Sequence, residues 1–239
     1  GLVSLLASVG VKEVPVYQAP KVVIIITGNE IQDLGNELQA GQIYNANGPA
    51  LESWLRKLEV DEIQAIKVPD QKEAVVDTLA QALDQNDLVI FTGGISVGDY
   101  DFVKNAVEEN QVKQLFYKLK QRPGKPLYAG QKDGKMVFAL PGNPGSVLSC
   151  FLQYVKPVIQ SWKGDKEAWN HFQELPMAHD FEKKITLTQF LKARIQNGKV
   201  EVLQGQESFN LIAFGLADGF VETPEESFVV ESGTLLKFY

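Results

Sequence analysis

Short apolar runs alternate with helical patterns through the first two thirds of this chain, and no other feature limits its fold as strongly. Val22–Ile26 and Leu88–Phe91 are unbroken runs rich in β-branched and aromatic residues, which is typical of strands buried on both faces of a parallel sheet. Ile63–Val68 and Met136–Leu140 are predicted as two further strands. Strands separated by helices predict right-handed βαβ units, so we expect an α/β fold with an open, mostly parallel sheet flanked by helices.

The helices between these strands are predicted from their apolar faces. The first begins at Asn47-Gly48-Pro49, and its apolar residues recur at helical spacing: Leu51, Trp54, Leu55 and Leu58. The second begins at Asp70 to Glu73, which has the form of a capping box. Its expected buried face consists of Val76, Leu79, Ala80 and Leu83.

The turn that follows Leu88–Phe91 is a candidate ligand site. Its two adjacent glycines, two hydroxyl side chains and free backbone N–H groups would suit an anion. A helix capped by Asp99 or Asp101 follows, which completes the crevice where open α/β sheets bind ligands. A tight turn without a ligand is the alternative, because short glycine motifs also occur by chance. The residues concerned are Thr92, Gly93, Gly94, Ser96, Gly98 and Asp99.

The segment from Lys113 to Lys132 contains six basic residues and no acidic one, in a chain with a formal net charge of -7. Leu115–Lys120 alternates as expected for a strand with one solvated face, and the turn at Pro123–Pro126 presents Lys125. This asymmetry favours an anion-binding surface, with a solvated strand face as the alternative. The acidic charge of the whole chain argues against general nucleic-acid binding.

A second candidate turn, Pro141 to Gly145, converts the strand Met136–Leu140 abruptly into a long helix. Asn143 is its expected cap and Pro144 its first helical residue. An ordinary helix start is the alternative. Two prolines and two glycines within five residues favour a backbone held rigid beside a ligand.

Beyond Gly164 the alternation of strands and helices stops, so we place a domain boundary there. Asn197-Gly198 lies between two apolar runs and is typical of a β-hairpin. Three further strands are predicted at Gly219–Glu222, Ser227–Val230 and Leu235–Tyr239. Short strands joined by tight turns are typical of a small all-β, barrel-like domain. The expected organisation is a lead-in segment at 1–19, an α/β domain at 20–164 and a C-terminal β-barrel domain at 165–239.

The composition excludes several other classes of protein. One cysteine, Cys150, leaves no internal disulfide and fits a reducing, cytoplasmic location, and its apolar helical surroundings predict a packed thiol. No apolar stretch approaches the roughly 20 residues that span a bilayer, so no membrane segment is expected. His171 and His179 are not spaced like zinc ligands.

Five short motifs follow one another in an order that resembles the molybdopterin molybdenumtransferase family, which includes the C-terminal part of gephyrin. They are Thr27-Gly28-Asn29-Glu30, Gly41 to Asn47, Thr92 to Gly98, Pro123 to Pro126 and Leu140 to Pro144. The resemblance covers essentially the whole chain. It implies a molybdopterin-binding α/β domain and the family's C-terminal β domain. The implied reaction inserts molybdenum from molybdate into adenylylated molybdopterin, with Mg²⁺ as the divalent cation and release of AMP.

The resemblance also implies roles for single residues. Glu30 and Asp101 stand at the positions of the family's acids, which implies catalysis and Mg²⁺ binding. Asn45 replaces the usual Asp after Gly-Gln-Ile-Tyr, which removes a charge that a metal ligand would supply. Arg122 replaces a common Lys and keeps the positive charge. The implied substrate-binding residues are Thr27, Gly28, Asn45, Asn47, Thr92, Gly93, Gly94, Ser96, Gly98, Asp99, Lys118, Lys120, Arg122, Lys125, Pro141, Asn143 and Pro144.

The family's N-terminal half precedes the lead-in segment, so the resemblance implies that this half is absent here. It also implies a homodimer in the full-length form and reduced activity for this chain alone. Two other functions stay open. A molybdopterin adenylyltransferase uses the same sheet, although the appended β domain argues against it. A gephyrin-like scaffold that binds a receptor peptide without catalysis is also compatible with the sequence.

Overall fold

The structure of the protein is a computed structural model, which describes residues 1–95, 102–226 and 228–239. Its helices are α1 (Leu2–Ser8), α2 (Asn47–Lys57), α3 (Lys72–Gln85), α4 (Phe102–Glu109), α5 (Pro144–Cys150), α6 (Lys156–Trp162) and α7 (Leu211–Leu216), and a π-helical segment (Phe151–Val155) joins α5 to α6. Its strands are β1 (Val22–Thr27), β2 (Ile31–Gln32), β3 (Ile43–Tyr44), β4 (Ile63–Val68), β5 (Leu88–Thr92), β6 (Lys113–Tyr117), β7 (Gln121–Arg122), β8 (Tyr128–Lys132), β9 (Lys135–Leu140), β10 (Gln173–Pro176), β11 (Phe181–Glu182), β12 (Thr188–Gln196), β13 (Lys199–Val202), β14 (Gly219–Thr223), β15 (Val229–Val230) and β16 (Leu235–Phe238). None of the described helices is long and apolar enough to cross a membrane.

The first sheet is mostly parallel, in the order β4-β1-β5-β9-β8-β6. The first four strands of that order are parallel, and β8 and β6 extend one edge in antiparallel pairing. The side chains of β1 alternate between two hydrophobic clusters. Val22, Ile24 and Ile26 pack in one cluster, and Val23 and Ile25 pack in the other. Because both faces of β1 are buried, its sequence is apolar without interruption.

Helices cover both faces of this sheet. On one face, Leu51 and Leu55 of α2 pack with Phe151 and Ile159 of the continuous helix that runs from α5 to α6. On the other face, α3 and α4 contribute the apolar side chains that enclose the second cluster. This arrangement confirms the predicted α/β fold with helices on both sides of the sheet.

The second sheet follows in the order β10-β16-β14-β12-β13. Asn197 and Gly198 both have positive φ values, 52° and 72°, and form the predicted hairpin turn between β12 and β13. A bridge between Met177 and Val200 joins the two edges of the sheet, as in a barrel-like fold. β7, which belongs to the basic segment, pairs with β12 and ties the two sheets together.

The capping box predicted for α3 does not form. Asp70 Oδ2 accepts a hydrogen bond from the Asn29 N–H at 3.2 Å, and Asn29 Oδ1 accepts one from the Asp70 N–H at 3.3 Å. The Asp70 carboxylate therefore holds the loop after β1 instead of the helix N-terminus. The buried face of α3 is also turned from the predicted one, because α3 packs against α4 as well as the sheet. It consists of Val75, Leu79, Ala82 and Leu83.

The strand predicted over Leu115–Lys120 lies earlier in the chain, at β6. A register shift between Gln114 and Phe116 leaves Leu115 exposed by 48%, and Phe116 packs against the core instead. The strand ends at Tyr117 because Lys118 has a left-handed φ of 61°.

Candidate functional site

A cleft of about 390 Å³ lies at the carboxyl ends of β1, β5 and β9. These strands end at Thr27, Thr92 and Leu140, and the loops that follow them form most of the walls. The carboxyl edge of a parallel sheet is where open α/β folds build ligand sites. The structure brings nine of the predicted site residues together around this cleft: Thr27, Glu30, Asn45, Asn47, Thr92, Gly93, Pro141, Asn143 and Pro144.

The two threonines at the floor of the cleft are buried, and the Thr27 hydroxyl donates a hydrogen bond to the Thr92 carbonyl oxygen at 3.5 Å. Gly93 and Gly94 follow with positive φ values of 83° and 67°. A Cβ atom at Gly94 would lie 2.6 Å from Thr27 Oγ1 and 2.9 Å from Val103 Cγ2. Packing alone therefore requires glycine at position 94, in addition to any role in ligand approach.

The two asparagines at the start of α2, one before it and one its first residue, have different surroundings. Asn45 Oδ1 accepts a hydrogen bond from the Gly48 N–H at 2.9 Å, which satisfies one free donor at the start of the helix. Asn47 Nδ2 donates to the Gly142 carbonyl oxygen at 2.9 Å and so connects the helix to the loop after β9. Asn47 Oδ1 is buried and has no hydrogen-bond partner among the described residues. A buried acceptor without a partner is costly, so this oxygen calls for an explanation.

Glu30 lies exposed in the wall of the cleft. Gly28 precedes it with a φ of 128°, and a Cβ atom at Gly28 would lie 3.0 Å from Glu30 Oε1. Glycine at this position leaves room for the carboxylate. The hydrogen bonds between Asn29 and Asp70 hold the same loop in place.

The turn between β9 and α5 closes the far side of the cleft. Pro144 is the first residue of α5, as predicted. Asn143 precedes it, but its side chain makes no capping hydrogen bond. Its carbonyl oxygen accepts the N–H groups of Ser146 and Val147 at 2.9 and 3.0 Å instead. The Asn143 side chain is exposed at the cleft.

The four predicted cations lie outside the lining of the cleft. Lys120 forms an ion pair with Glu225 at 3.1 Å, and the Lys118 ammonium lies 4.7 Å from the ring centre of Tyr117. Arg122 belongs to β7, and Lys125 is exposed beside Pro126, which does line the cleft. Of the four, Lys125 is the one next to a lining residue in the sequence. Lys120 is instead paired with Glu225 of the C-terminal part.

Ser96, Gly98, Asp99 and Asp101 lie outside the described residues, so the predicted helix cap and the second acid fall there as well. In the rest of the chain, no group of three His, Cys, Asp or Glu side chains is placed to hold a metal ion. Several apolar lining residues were not predicted from the sequence. Ile31, Ile43 and Tyr44 reach the cleft because the short parallel pair of β2 and β3 folds over it.

The mostly parallel sheet with helices on both faces is that of a probable molybdopterin binding domain. A family model described as a probable molybdopterin binding domain matches residues 23–161, and the chain belongs to this family. A second model, described as the MoeA C-terminal region (domain IV), matches residues 174–239. The family resemblance predicted from the five motifs is thereby confirmed.

Relatives of the chain carry a consistent name. The chain is 31% identical over 229 residues to a molybdopterin molybdenumtransferase of Staphylococcus epidermidis. This match covers 94% of the chain and 54% of the relative. The chain is 33% identical over 195 residues to a protein of the same name from Staphylococcus aureus, covering 81% of this chain and 46% of the relative. The chain thus spans about half the length of the curated relatives it matches.

The fold has a counterpart among solved structures. A molybdopterin biosynthesis MoeA protein of Pyrococcus horikosii superimposes with a TM-score of 0.80 and 31% identity, over 98% of this chain and 57% of that protein. A second MoeA structure, from Pyrococcus horikoshii, gives a TM-score of 0.75 at 25% identity.

Proposed function

We propose that this chain carries the molybdopterin-binding part of a molybdopterin molybdenumtransferase. In this proposal it takes part in the insertion of molybdenum from molybdate into adenylylated molybdopterin, with release of AMP. The observation that carries the proposal is the succession of two family matches, 23–161 and 174–239, in one chain. The second match favours this reaction over that of an adenylyltransferase, which would leave the C-terminal sheet without a role.

The cleft is the proposed substrate site. Asn47 Oδ1 is a buried acceptor that would bind an N–H or O–H group of the pterin, and Thr27 and Thr92 form the floor beneath it. The substrate's pyrophosphate would lie against the turn that starts with Gly93 and Gly94, whose positive φ values and missing side chains allow a close approach of the backbone. Its negative charge would be balanced by Arg122 of β7 and by Lys125, which directly precedes Pro126 of the cleft lining.

Magnesium is proposed as the metal that accompanies the pyrophosphate. Mg²⁺ is usually held by one or two carboxylates together with phosphate oxygens of the substrate, so a single described carboxylate in the cleft fits this mode. Glu30 would supply that carboxylate, with Asp101 as the second candidate. Bound there, Mg²⁺ would neutralise charge on the phosphates. Asn45 Oδ1 is already engaged with the Gly48 N–H and is a poorer candidate.

Three further features belong to the proposal. A homodimer of the full-length protein and a cytoplasmic location follow from the family resemblance and from Cys150, the one cysteine, which is a buried free thiol. Full activity is assigned to the full-length protein, because catalysis requires reacting groups held in place and water excluded. The chain itself would bind the pterin and insert molybdenum slowly.

The test is AMP release from adenylylated molybdopterin in the presence of molybdate. It would be measured for this chain and for a fusion that adds the N-terminal half implied by the family resemblance, at several Mg²⁺ concentrations. We expect release by the fusion, with a lower rate for the chain alone and for a Glu30→Gln fusion. Absence of AMP release by the fusion, with no bound pterin, would contradict the proposal and favour the scaffold function.

A further inference from the structure

A second and larger cavity, of about 650 Å³, lies between the long helix from α5 to α6 and the C-terminal sheet. Among the described residues it shares no lining side chain with the cleft at the ends of β1, β5 and β9. Its size falls within the range of small-molecule sites, about 300–1,000 Å³. It is therefore a separate space that the proposed reaction does not use.

One wall of this cavity is aromatic. Phe190 of β12 and Tyr239 meet edge to face, with ring centres 6.1 Å apart, and Phe214 and Phe220 do so at 5.6 Å. Aromatic rings prefer edge-to-face and offset-stacked neighbours, and both arrangements are possible for a further ring placed against this wall. This wall is suited to an aromatic ring.

The polar groups on the same side already have partners. The Tyr239 hydroxyl donates to Glu222 Oε2 at 2.6 Å, and Glu225 pairs with Lys120 at 3.1 Å. Asp218 Oδ2 accepts the Ile195 N–H at 2.8 Å. The carboxylates that line the cavity are thus engaged within the protein.

The helical wall is different, because three of its side chains carry polar groups with no partner among the described residues. Gln153 is only 8% exposed, yet its Nε2 has no hydrogen-bond partner among the described residues, and neither does the buried Gln160 Oε1. Lys156, half buried between them, forms no ion pair within the described chain, and burial lowers the pKa of its ammonium. These residues lie at i, i+3 and i+7, on one face of the helix.

The backbone of the helical wall is also unusual at this point. Gln153 belongs to the π-helical segment Phe151–Val155. Such segments are rare and occur frequently at functional sites, since the wider turn re-aims the side chains around it. Buried polar groups without partners are few in native proteins, and each one calls for an explanation. A ligand that supplies the missing partners provides one.

We propose that this cavity binds a small aromatic carboxylate that also carries a hydroxyl or N–H donor. The carboxylate would bind Lys156 and Gln153 Nε2, and the donor would bind Gln160 Oε1. The ring would pack against Phe190 and Tyr239. Two donors, one of them cationic, and one acceptor on the helix match this set of ligand groups.

The test is calorimetric titration of the whole chain with 4-hydroxybenzoate and, as a probe without the carboxylate, phenol. We expect 4-hydroxybenzoate to bind at least about 10-fold more tightly than phenol, since a charge-assisted hydrogen bond contributes more than a neutral one. Lys156→Gln should weaken 4-hydroxybenzoate by about 10-fold and leave phenol binding unchanged. Lys166→Gln, at an exposed lysine outside the cavity, is the matched control and should change neither.

A second variant tests the proposal independently, in case Lys156→Gln does not fold. Gln153→Leu removes the unpaired amide at similar volume, so it should keep the thermal midpoint and still weaken 4-hydroxybenzoate. The proposal is overturned if 4-hydroxybenzoate does not bind at millimolar concentration, or if Lys156→Gln weakens both probes equally. No pterin is present, so failure here leaves the proposed molybdenum insertion untouched.

Discussion

Replacement of Asn47 by leucine separates stability from ligand binding at the cleft. The hydrogen bond from Asn47 Nδ2 to the Gly142 carbonyl, 2.9 Å long, is worth about 1 kcal/mol net, and the exposed Gly142 can take water in its place. The same change removes Asn47 Oδ1, whose burial without a partner costs about 1–3 kcal/mol. The two effects oppose each other, so we expect the free energy of unfolding of Asn47→Leu to equal that of the wild type or to exceed it by up to about 2 kcal/mol.

Binding should respond differently. If Asn47 Oδ1 accepts a hydrogen bond from the pterin, its loss costs about 1 kcal/mol of binding free energy, which is about a 5-fold rise in Kd. Urea unfolding and equilibrium titration with molybdopterin would measure the two quantities. Asn110→Leu is the control, since Asn110 Nδ2 bonds to Val76 and Ala106 carbonyls away from the cleft. It should lower stability and leave Kd unchanged. An unchanged Kd for Asn47→Leu would refute the assignment.

Three further predictions concern packing and ionisation. Phe138→Ala, in the core of β9, should cost about 3–5 kcal/mol by urea unfolding, and Leu115→Ala, at an exposed position, less than about 1; equal costs would contradict the described core. Gly94→Val should lower the thermal midpoint of unfolding even without ligand, because its Cβ would lie 2.6 Å from Thr27 Oγ1. An unchanged midpoint would show that this turn has room for a side chain at position 94. Burial raises the pKa of Cys150 from 9.0 to about 12, so the folded thiol should resist a disulfide reagent at pH 8. Because the unfolded thiol ionises first, the free energy of unfolding should fall as pH rises above 9.0, and rapid labelling of the native chain would contradict this burial.

The parallel sheet was predictable because strands buried on both faces have uninterrupted apolar sequences. Val22–Ile26 and Leu88–Phe91 are apolar at every position, and only a covered strand accepts such a run. The hairpin at Asn197-Gly198 was predictable for a local reason, since both residues tolerate positive φ.

Other elements depend on partners that are distant in sequence. β8 contains Ala129, Gly130 and Gln131, which are weak strand formers, and it is held as a strand by pairing with β6 and β9. Asp70 had the spacing of a capping residue, but the Asn29 backbone, 41 residues earlier, offers a competing donor. Local patterns carry no information about such competition.

The candidate site shows the same division. Motif residues at the strand ends converge at one cleft because parallel strands carry their carboxyl ends to the same edge. The unpaired state of Asn47 Oδ1 was not predictable, since it depends on the position of Gly142, 95 residues away. The basic residues were predicted as one surface, yet Lys120 is drawn to Glu225 of the C-terminal part.

The most direct test of the central claim is a crystal structure of this chain with adenylylated molybdopterin bound. We expect the pterin in the cleft at the ends of β1, β5 and β9, with a donor group within hydrogen-bond distance of Asn47 Oδ1 and the pyrophosphate beside the turn that begins at Gly93. Density for the ligand in the cavity between the long helix and the C-terminal sheet, or an empty cleft at saturating ligand, would contradict it.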